Sequence, residues 1–359
     1  MALQISTAPR YFLGANSKQG FHSLYDGFVD PDAGDFLWVI KGGPGCGKST
    51  FMKRIGAAGE AAGLAVEYIL CSGDPDSLDG VYFPEQRVGY TDGTAPHVQE
   101  ATYPGAASLY LDLGSFLDAG ALGPHLSEIA ALNRENSAHY AAAYAALAAG
   151  AALLPRNLPG LVQPDALPRL EKKLAGLVNR ELRRLEKPGK LTRRFLSARS
   201  CQGHLRLDDT LLDMCERIWL LDNELGLGSV FLGCLAELAL DRGYHVLLCP
   251  DPLEPERPEA VLLPEAGLGF LADDRTLPFA GPVYRHLRLD TLAGPLNPDQ
   301  RALLRQRRRE SALLLHAAHD HMARAKAAHD ALEAVYHPYV DFAGVFALAE
   351  DHIRWLLDS

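Results

Sequence analysis

Several absences bound what this chain can be. No apolar run approaches the ~20 residues that a membrane helix needs; the nearest, from Ala141 to Leu154, is short and alanine-rich. The opening Met1-Ala2-Leu3-Gln4-Ile5-Ser6 lacks the basic-then-apolar order of a secretion signal. Cysteine is sparse, and Cys46, Cys71, Cys201, Cys215, Cys234 and Cys249 form no C-x-x-C pair. That spacing argues against a disulfide framework or a zinc ribbon and predicts reduced thiols in a cytoplasmic protein. Positive charge is also in deficit: 35 Lys and Arg stand against 45 Asp and Glu, a net charge of −10. Such a chain carries no clear nucleic-acid signal and is not drawn to an acidic membrane. Hydrophobic residues nevertheless make up 48% of 359 positions, enough to fill two cores and too many residues for one.

Against this background one segment stands out. The β-prone run Phe36-Leu37-Trp38-Val39-Ile40 leads into Lys41-Gly42-Gly43-Pro44-Gly45-Cys46-Gly47-Lys48-Ser49-Thr50, and Phe51-Met52-Lys53-Arg54-Ile55 continues as a helix. Gly42 to Ser49 fits G-x-x-x-x-G-K-[ST], the phosphate-binding P-loop pattern. The glycines allow a tight turn whose N–H groups aim at phosphate oxygens, and the new helix adds its positive end. Lys48 is expected to neutralise the β- and γ-phosphates, and the Ser49 hydroxyl to ligate Mg²⁺. The segment Gly42, Gly43, Pro44, Gly45, Cys46, Gly47, Lys48, Ser49 and Thr50 is thus the expected cradle for ATP or GTP. Cys46 reads as a small residue filling the loop.

The chain also repeats itself. Phe12-Leu13-Gly14-Ala15 with Gln19-Gly20 recurs as Phe195-Leu196-Ser197-Ala198 with Gln202-Gly203. Trp38-Val39-Ile40 recurs as Trp219-Leu220-Leu221, and Gly45-Cys46-Gly47 as Gly226-Leu227-Gly228. Val81-Tyr82-Phe83-Pro84-Glu85 matches Val261-Leu262-Leu263-Pro264-Glu265, and Asp92-Gly93-Thr94-Ala95-Pro96 matches Asp274-Arg275-Thr276-Leu277-Pro278. An ordered series at a spacing near ~181 implies two homologous halves joined near Lys187-Pro188-Gly189-Lys190. The expected division is 1–189 and 190–359. In the second copy Ser229 and Val230 replace Lys48 and Ser49, and Asp222-Asn223-Glu224 replaces Lys41-Gly42-Gly43. Acids in that place repel phosphate. The second half is therefore expected to be a degenerate, pseudo-NTPase domain.

Within the first half, strand Phe36–Lys41, helix 49–62, strand 65–71 and strand 87–91 alternate. The pattern predicts an α/β fold: two tandem P-loop NTPase-like domains, each a parallel sheet with flanking helices. Each half ends in a long helical segment, roughly 124–154 and 164–185 in the first, 298–336 and 339–357 in the second. These segments could serve as a lid, pack the halves together, or hold a protein partner.

A P-loop site needs a carboxylate at the end of a nearby strand. Val88-Gly89-Tyr90-Thr91-Asp92 ends in one, so Asp92 is the expected catalytic and metal-linked acid, shared with Ser49 as a Mg²⁺ ligand. Gly93 follows it, leaving no adjacent acid to orient water. Asp74, Asp76 and Asp79 crowd the loop after the second strand, and Asp79 ranks first because Asp79-Gly80 leads into the repeated element. His97 is a further candidate for phosphate contact. His316, His319, Asp320, His321 and His329 share a long helix but show no third convergent metal ligand. Arg305-Gln306-Arg307-Arg308-Arg309 and Arg193-Arg194 read as solvated faces, with a phosphate-touching arginine as the sharper alternative.

These signatures together resemble the P-loop NTPase superfamily, and within it a group of poorly characterised bacterial ATPase-like proteins with two P-loop-type halves. The matching segments are Phe12-Leu13-Gly14, Ile40 to Thr50, Cys71-Ser72 with Asp76 to Val81, and Asp92 to His97. The resemblance implies a nucleotide-binding or ATPase activity and covers the first half better than the second. The expected function is a Mg²⁺-dependent ATPase with one active site, in the N-terminal half. The alternatives are a kinase for a nucleotide or other small molecule, suggested by Gly42-Gly43-Pro44-Gly45, and a nucleotide-sensing scaffold.

Overall fold

The computed structural model describes residues 8–95 and 98–358. The first half begins with β1 (Arg10–Phe12) and the hairpin β2 (Gly14–Ser17) and β3 (Gly20–Ser23). Next come β4 (Phe36–Lys41), α1 (Lys48–Ala61), β5 (Glu67–Leu70), β6 (Leu78–Phe83), β7 (Val88–Asp92) and β8 (Ser108–Asp112). The short α2 (Ala119–Leu122), the long α3 (Leu126–Ala152) and α4 (Ala166–Glu181) follow. The second half repeats the series: β9 (Lys190–Arg193), the hairpin β10 (Ser197–Ser200) and β11 (Gly203–Arg206), and α5 (Asp208–Met214). It continues through β12 (Arg217–Asp222), α6 (Leu227–Asp241), β13 (His245–Pro250), β14 (Pro258–Leu263), β15 (Leu268–Asp273) and β16 (Arg285–Leu287). The chain ends in α7 (Pro298–Tyr336) and α8 (Phe342–Asp358).

Two six-stranded sheets form, with orders β1-β5-β6-β7-β4-β8 and β9-β13-β14-β15-β12-β16. Position by position the two orders are the same, so the repeat seen in the sequence is a repeat of topology. Both sheets are mixed, which corrects the expectation of parallel sheets. β6 runs antiparallel to β5 and β7, as β14 does to β13 and β15. The reason is connection length. Only Pro84–Arg87 links β6 to β7, and 71–77 links β5 to β6, whereas a parallel crossover takes a dozen residues or more. Arg87 takes φ +59° to close the tighter link. The remaining neighbours are parallel: β1 pairs with β5, and β4 pairs with β7 on one side and β8 on the other.

The halves are interlocked through their helices. α3 and α7 pack antiparallel along their lengths: the Asn136 amide donates to the Ala325 carbonyl (2.9 Å) and the Ser311 hydroxyl to the Gly150 carbonyl (2.8 Å). Farther on, each half sends a helix to the other. α4 buries Leu170, Leu174, Leu177 and Val178 in the core of the second sheet, beside Trp219 and Phe231. α8 buries Val345, Ala349 and Leu356 in the core of the first, beside Ile40 and Phe51. Each large apolar side chain so buried is worth roughly 1.5–3 kcal/mol.

A pseudo-twofold joins the sheets at their near edges. Phe12 and Phe195 exchange both backbone hydrogen bonds, each 2.9 Å. The Lys18 N–H donates to the Leu253 carbonyl (3.0 Å), and its counterpart Cys201 N–H donates to the Gly73 carbonyl (3.1 Å). No helix among the described residues is long and apolar enough to cross a membrane. All six cysteines are unpaired thiols.

Candidate functional site

The Gly42–Thr50 segment lies between the end of β4 and the start of α1. Two of its glycines are needed for shape. Gly45 (φ +69°) and Gly47 (φ +86°), the N-cap of α1, take left-handed conformations that side chains disfavour. Cys46 between them is fully buried, and burial pushes its thiol upward, so it fills the loop as an inert apolar residue. Thr50 faces solvent on the first turn of α1.

Lys48 and Asp92 meet here from elements distant in sequence. The Lys48 ammonium donates to the carbonyls of Gly42 and Gly43, both at 3.0 Å, and lies 3.7 Å from Asp92 Oδ2. Parallel pairing of β4 with β7 sets Ile40 opposite Asp92 and so places the acid beside the loop. The other oxygen, Oδ1, accepts from the Thr94 N–H (2.8 Å) and hydroxyl (2.6 Å), which fixes the carboxylate's orientation. Ser49 Oγ accepts the Leu78 N–H at 2.9 Å, tying the first turn of α1 to the start of β6.

α7 of the second half closes over this loop. Glu333 Oε1 accepts the Gly45 N–H at 3.2 Å, so a carboxylate sits on a loop amide. His329, 3.5 Å away, holds the Glu333 carboxyl below its usual range against the opposing pull of burial. Tyr336 packs near Gly43, His337 near Gly45 and Phe342 near Gly47. α8 is fixed above β7 by Tyr90 Oη and His352 Nδ1, 3.2 Å apart in the core. Glu333 has no motif of its own in the sequence, because a lone acid on a long helix carries no positional signal.

The remaining candidates are dispersed. Asp79 is buried on β6, accepts the Tyr25 hydroxyl at 2.9 Å, and its carbonyl accepts the Thr91 hydroxyl. Asp74 accepts the Ser77 hydroxyl (2.9 Å) and lies 3.5 Å from Lys326 of α7. His97 lies outside the described residues. Arg308 turns from the Gly42–Thr50 loop and pairs instead with Glu224 of the second half. Arg194 is buried between the halves, donating to the carbonyls of Gly27 and Phe28. His139 and His321 approach to 3.3 Å, but no group of three metal-ligating side chains occurs among the described residues.

The equivalent loop in the second half is closed by its own side chains. Asp290 accepts the N–H groups of Glu224 (3.0 Å) and Leu225 (3.2 Å). Asn223 bridges to the N–H (2.9 Å) and hydroxyl (3.1 Å) of Ser229. Sheet register puts Ala272 where the first half has Asp92. The Asp92–Thr94 turn itself recurs as Asp274–Thr276, with the same two hydrogen bonds, two residues farther along. The second loop thus keeps the turn and lacks the lysine, the hydroxyl and the acid. A scan of protein-family models, a search of curated proteins and a search of solved structures each return no match to this chain.

Proposed function

We propose that the first half binds a nucleoside triphosphate with Mg²⁺ at Gly42–Thr50 and hydrolyses its terminal phosphate, and that the second half holds no second catalytic site. The reading is carried by Lys48, which reaches across the loop toward Asp92 at the end of the adjacent strand. A triphosphate arriving here would find loop N–H groups, the positive end of α1, and an ammonium able to exchange two carbonyls for phosphate oxygens. The donor set suits an anion, since Glu333 already places a carboxylate on the Gly45 amide. Ser49 and Asp92 would hold Mg²⁺, which when bound offsets the phosphate charge. α7 and α8 of the second half restrict water around the loop, so the second half serves as a lid for the first.

The test is a comparison of two substitutions in the full chain. Lys48→Ala should abolish binding of a fluorescent ATP analogue and release of inorganic phosphate. Ser229→Ala should leave both within about twofold of the parent, because Ser229 is enclosed by Asn223. Equal losses in the two variants would overturn the single-site reading. Phosphate transfer to an added acceptor, without release to water, would replace hydrolysis by a kinase activity.

A further inference from the structure

A cavity of about 400 Å³ lies where the halves meet, between the β10–β11 hairpin, the Glu224 loop, α7 and the Leu154–Arg156 turn that follows α3. Its size is in the range of small-molecule sites, roughly 300–1,000 Å³. What marks it is unsatisfied polarity. Arg199 is only 4% exposed and its Nε has no partner; Asp251, Asp274 and Glu259 attract it from beyond ion-pair contact. Both ring nitrogens of His204 are likewise buried without partners, as is Nε2 of His319. All three side chains line the same cavity.

Native interiors satisfy more than about 90% of buried polar groups, and an unpaired buried guanidinium is among the most costly exceptions. Three such side chains around one space call for a ligand that supplies acceptors. Burial, reinforced by Arg199, depresses both imidazoles, His319 to about 4 and His204 well below the usual imidazole range. They are therefore neutral rings, each offering one N–H beside a charged guanidinium. Leu154, Pro155 and Leu315 give the cavity an apolar wall, and its two carboxylates are already paired, Asp274 with Arg156 and Glu224 with Arg275 and Arg308.

The first half shows that this is no remnant. Hairpin register makes Asn16 and Phe21 the counterparts of Arg199 and His204. Asn16 is fully engaged: its amide donates to the carbonyls of Ser72 (3.3 Å) and Arg199 (2.8 Å), and its oxygen accepts the Tyr144 hydroxyl (3.0 Å). Where the first half has a satisfied amide and a phenyl ring, the second has a guanidinium and an imidazole facing open space. We infer that the molecule carries a second binding site, its polar groups from the second half and part of its wall from the first, for a small organic anion whose carboxylate or phosphate-monoester head is held by Arg199, His204 and His319 and whose compact apolar body lies against Leu154, Pro155 and Leu315.

Calorimetric titration of the full chain with phenyl phosphate, benzoate and benzyl alcohol tests this, run in parallel in the Lys48→Ala background to silence the first-half loop. At least one of the two anions should bind in both backgrounds, the tighter identifying the head group, and the neutral alcohol should not. Arg199→Met should weaken anion binding roughly tenfold or more, the scale for losing a charged hydrogen-bonding partner. Ala312→Trp fills the cavity from an exposed position without altering its charges and should block binding even if Arg199→Met fails to fold. Absence of binding by both anions, or binding that survives Ala312→Trp, would overturn the assignment.

Discussion

At the scale of single residues, the chain is organised around which carboxylate occupies which loop amide. In the first half Glu333 reaches Gly45 from a helix some 288 positions away. In the second, Asp290 closes the loop from the segment just after β16. The two differ in consequence. Asp290 occupies the loop amides from within its own half, while Glu333 is a partly exposed side chain that the triphosphate of the proposed reading would displace. Glu333→Gln should therefore tighten triphosphate binding by roughly three- to tenfold, the range for relieving one like charge at a partly solvated site. Competition against a fluorescent nucleotide measures it, and unchanged or weaker binding would count against Glu333 as a rival for the loop. The motif residues Lys48, Ser49 and Asp92 are legible in the sequence because glycine spacing and a strand end are local signals. Glu333, Arg199 and His204 are not, since only tertiary packing gives them a role.

At the scale of elements, helices and the motif strand follow from local patterning. Phe36–Lys41 and Pro298–Tyr336 appear with the bounds their sequences suggest, the latter opened by an Asn297 capping box and closed near Pro338. Strand direction is harder to read. β6 and β14 are buried on both faces, so their apolar runs look the same as those of parallel central strands, and only the short links betray the reversal. The turn after α3 also has a role its sequence hides. There Arg156 is buried against Asp251, Glu254 and Asp274, at 2.6, 2.5 and 2.8 Å, and so pins the end of a first-half helix to the second sheet. Burial alone would raise the Glu254 carboxyl, but Arg156, with hydrogen bonds from Lys18 and Asn157, outweighs it and sets the group at about 2, against an ordinary value of 4.5. A folded value below the unfolded one means that this stabilisation is full above about pH 4.5 and is lost as pH falls toward 2. Arg156→Leu should cost roughly 3–5 kcal/mol at pH 7, because it strands buried carboxylates. In urea titrations the gap from the parent should shrink at pH 3, where the carboxylates left without Arg156 take up protons and the parent loses its own advantage over the unfolded chain. A gap independent of pH would point to lost packing instead.

At the scale of the whole molecule, the duplication and its boundary near Lys190 are visible in sequence, but the crossing of the helices is not. Repeated motifs report that two halves share a topology; they do not report which half a terminal helix joins. The crossing decides whether the first half can stand alone. A chain ending at Pro188 would keep the loop, Lys48 and Asp92, yet it would lose Val345, Ala349 and Leu356 from the core around Phe51. It would also carry α4 with Leu170, Leu174 and Leu177 uncovered, since α6 and Trp219 belong to the missing part. Leu170, Leu174 and Leu177 would thus be uncovered and the burial of Val345 and Leu356 lost; at roughly 1.5–3 kcal/mol each, the loss is comparable to the whole 5–15 kcal/mol of net stability typical of a folded protein. The 1–188 chain should therefore be aggregation-prone, without a cooperative thermal transition and without nucleotide binding. Co-expression with 189–359 as a separate chain should recover a soluble one-to-one complex that binds nucleotide, because α4 and α8 can then each find the other sheet. Thermal denaturation and size-exclusion chromatography of the two preparations decide the matter. A soluble 1–188 monomer that unfolds cooperatively and binds ATP would show that the exchanged helices are dispensable, and the lid role of the second half would have to rest on α7 alone.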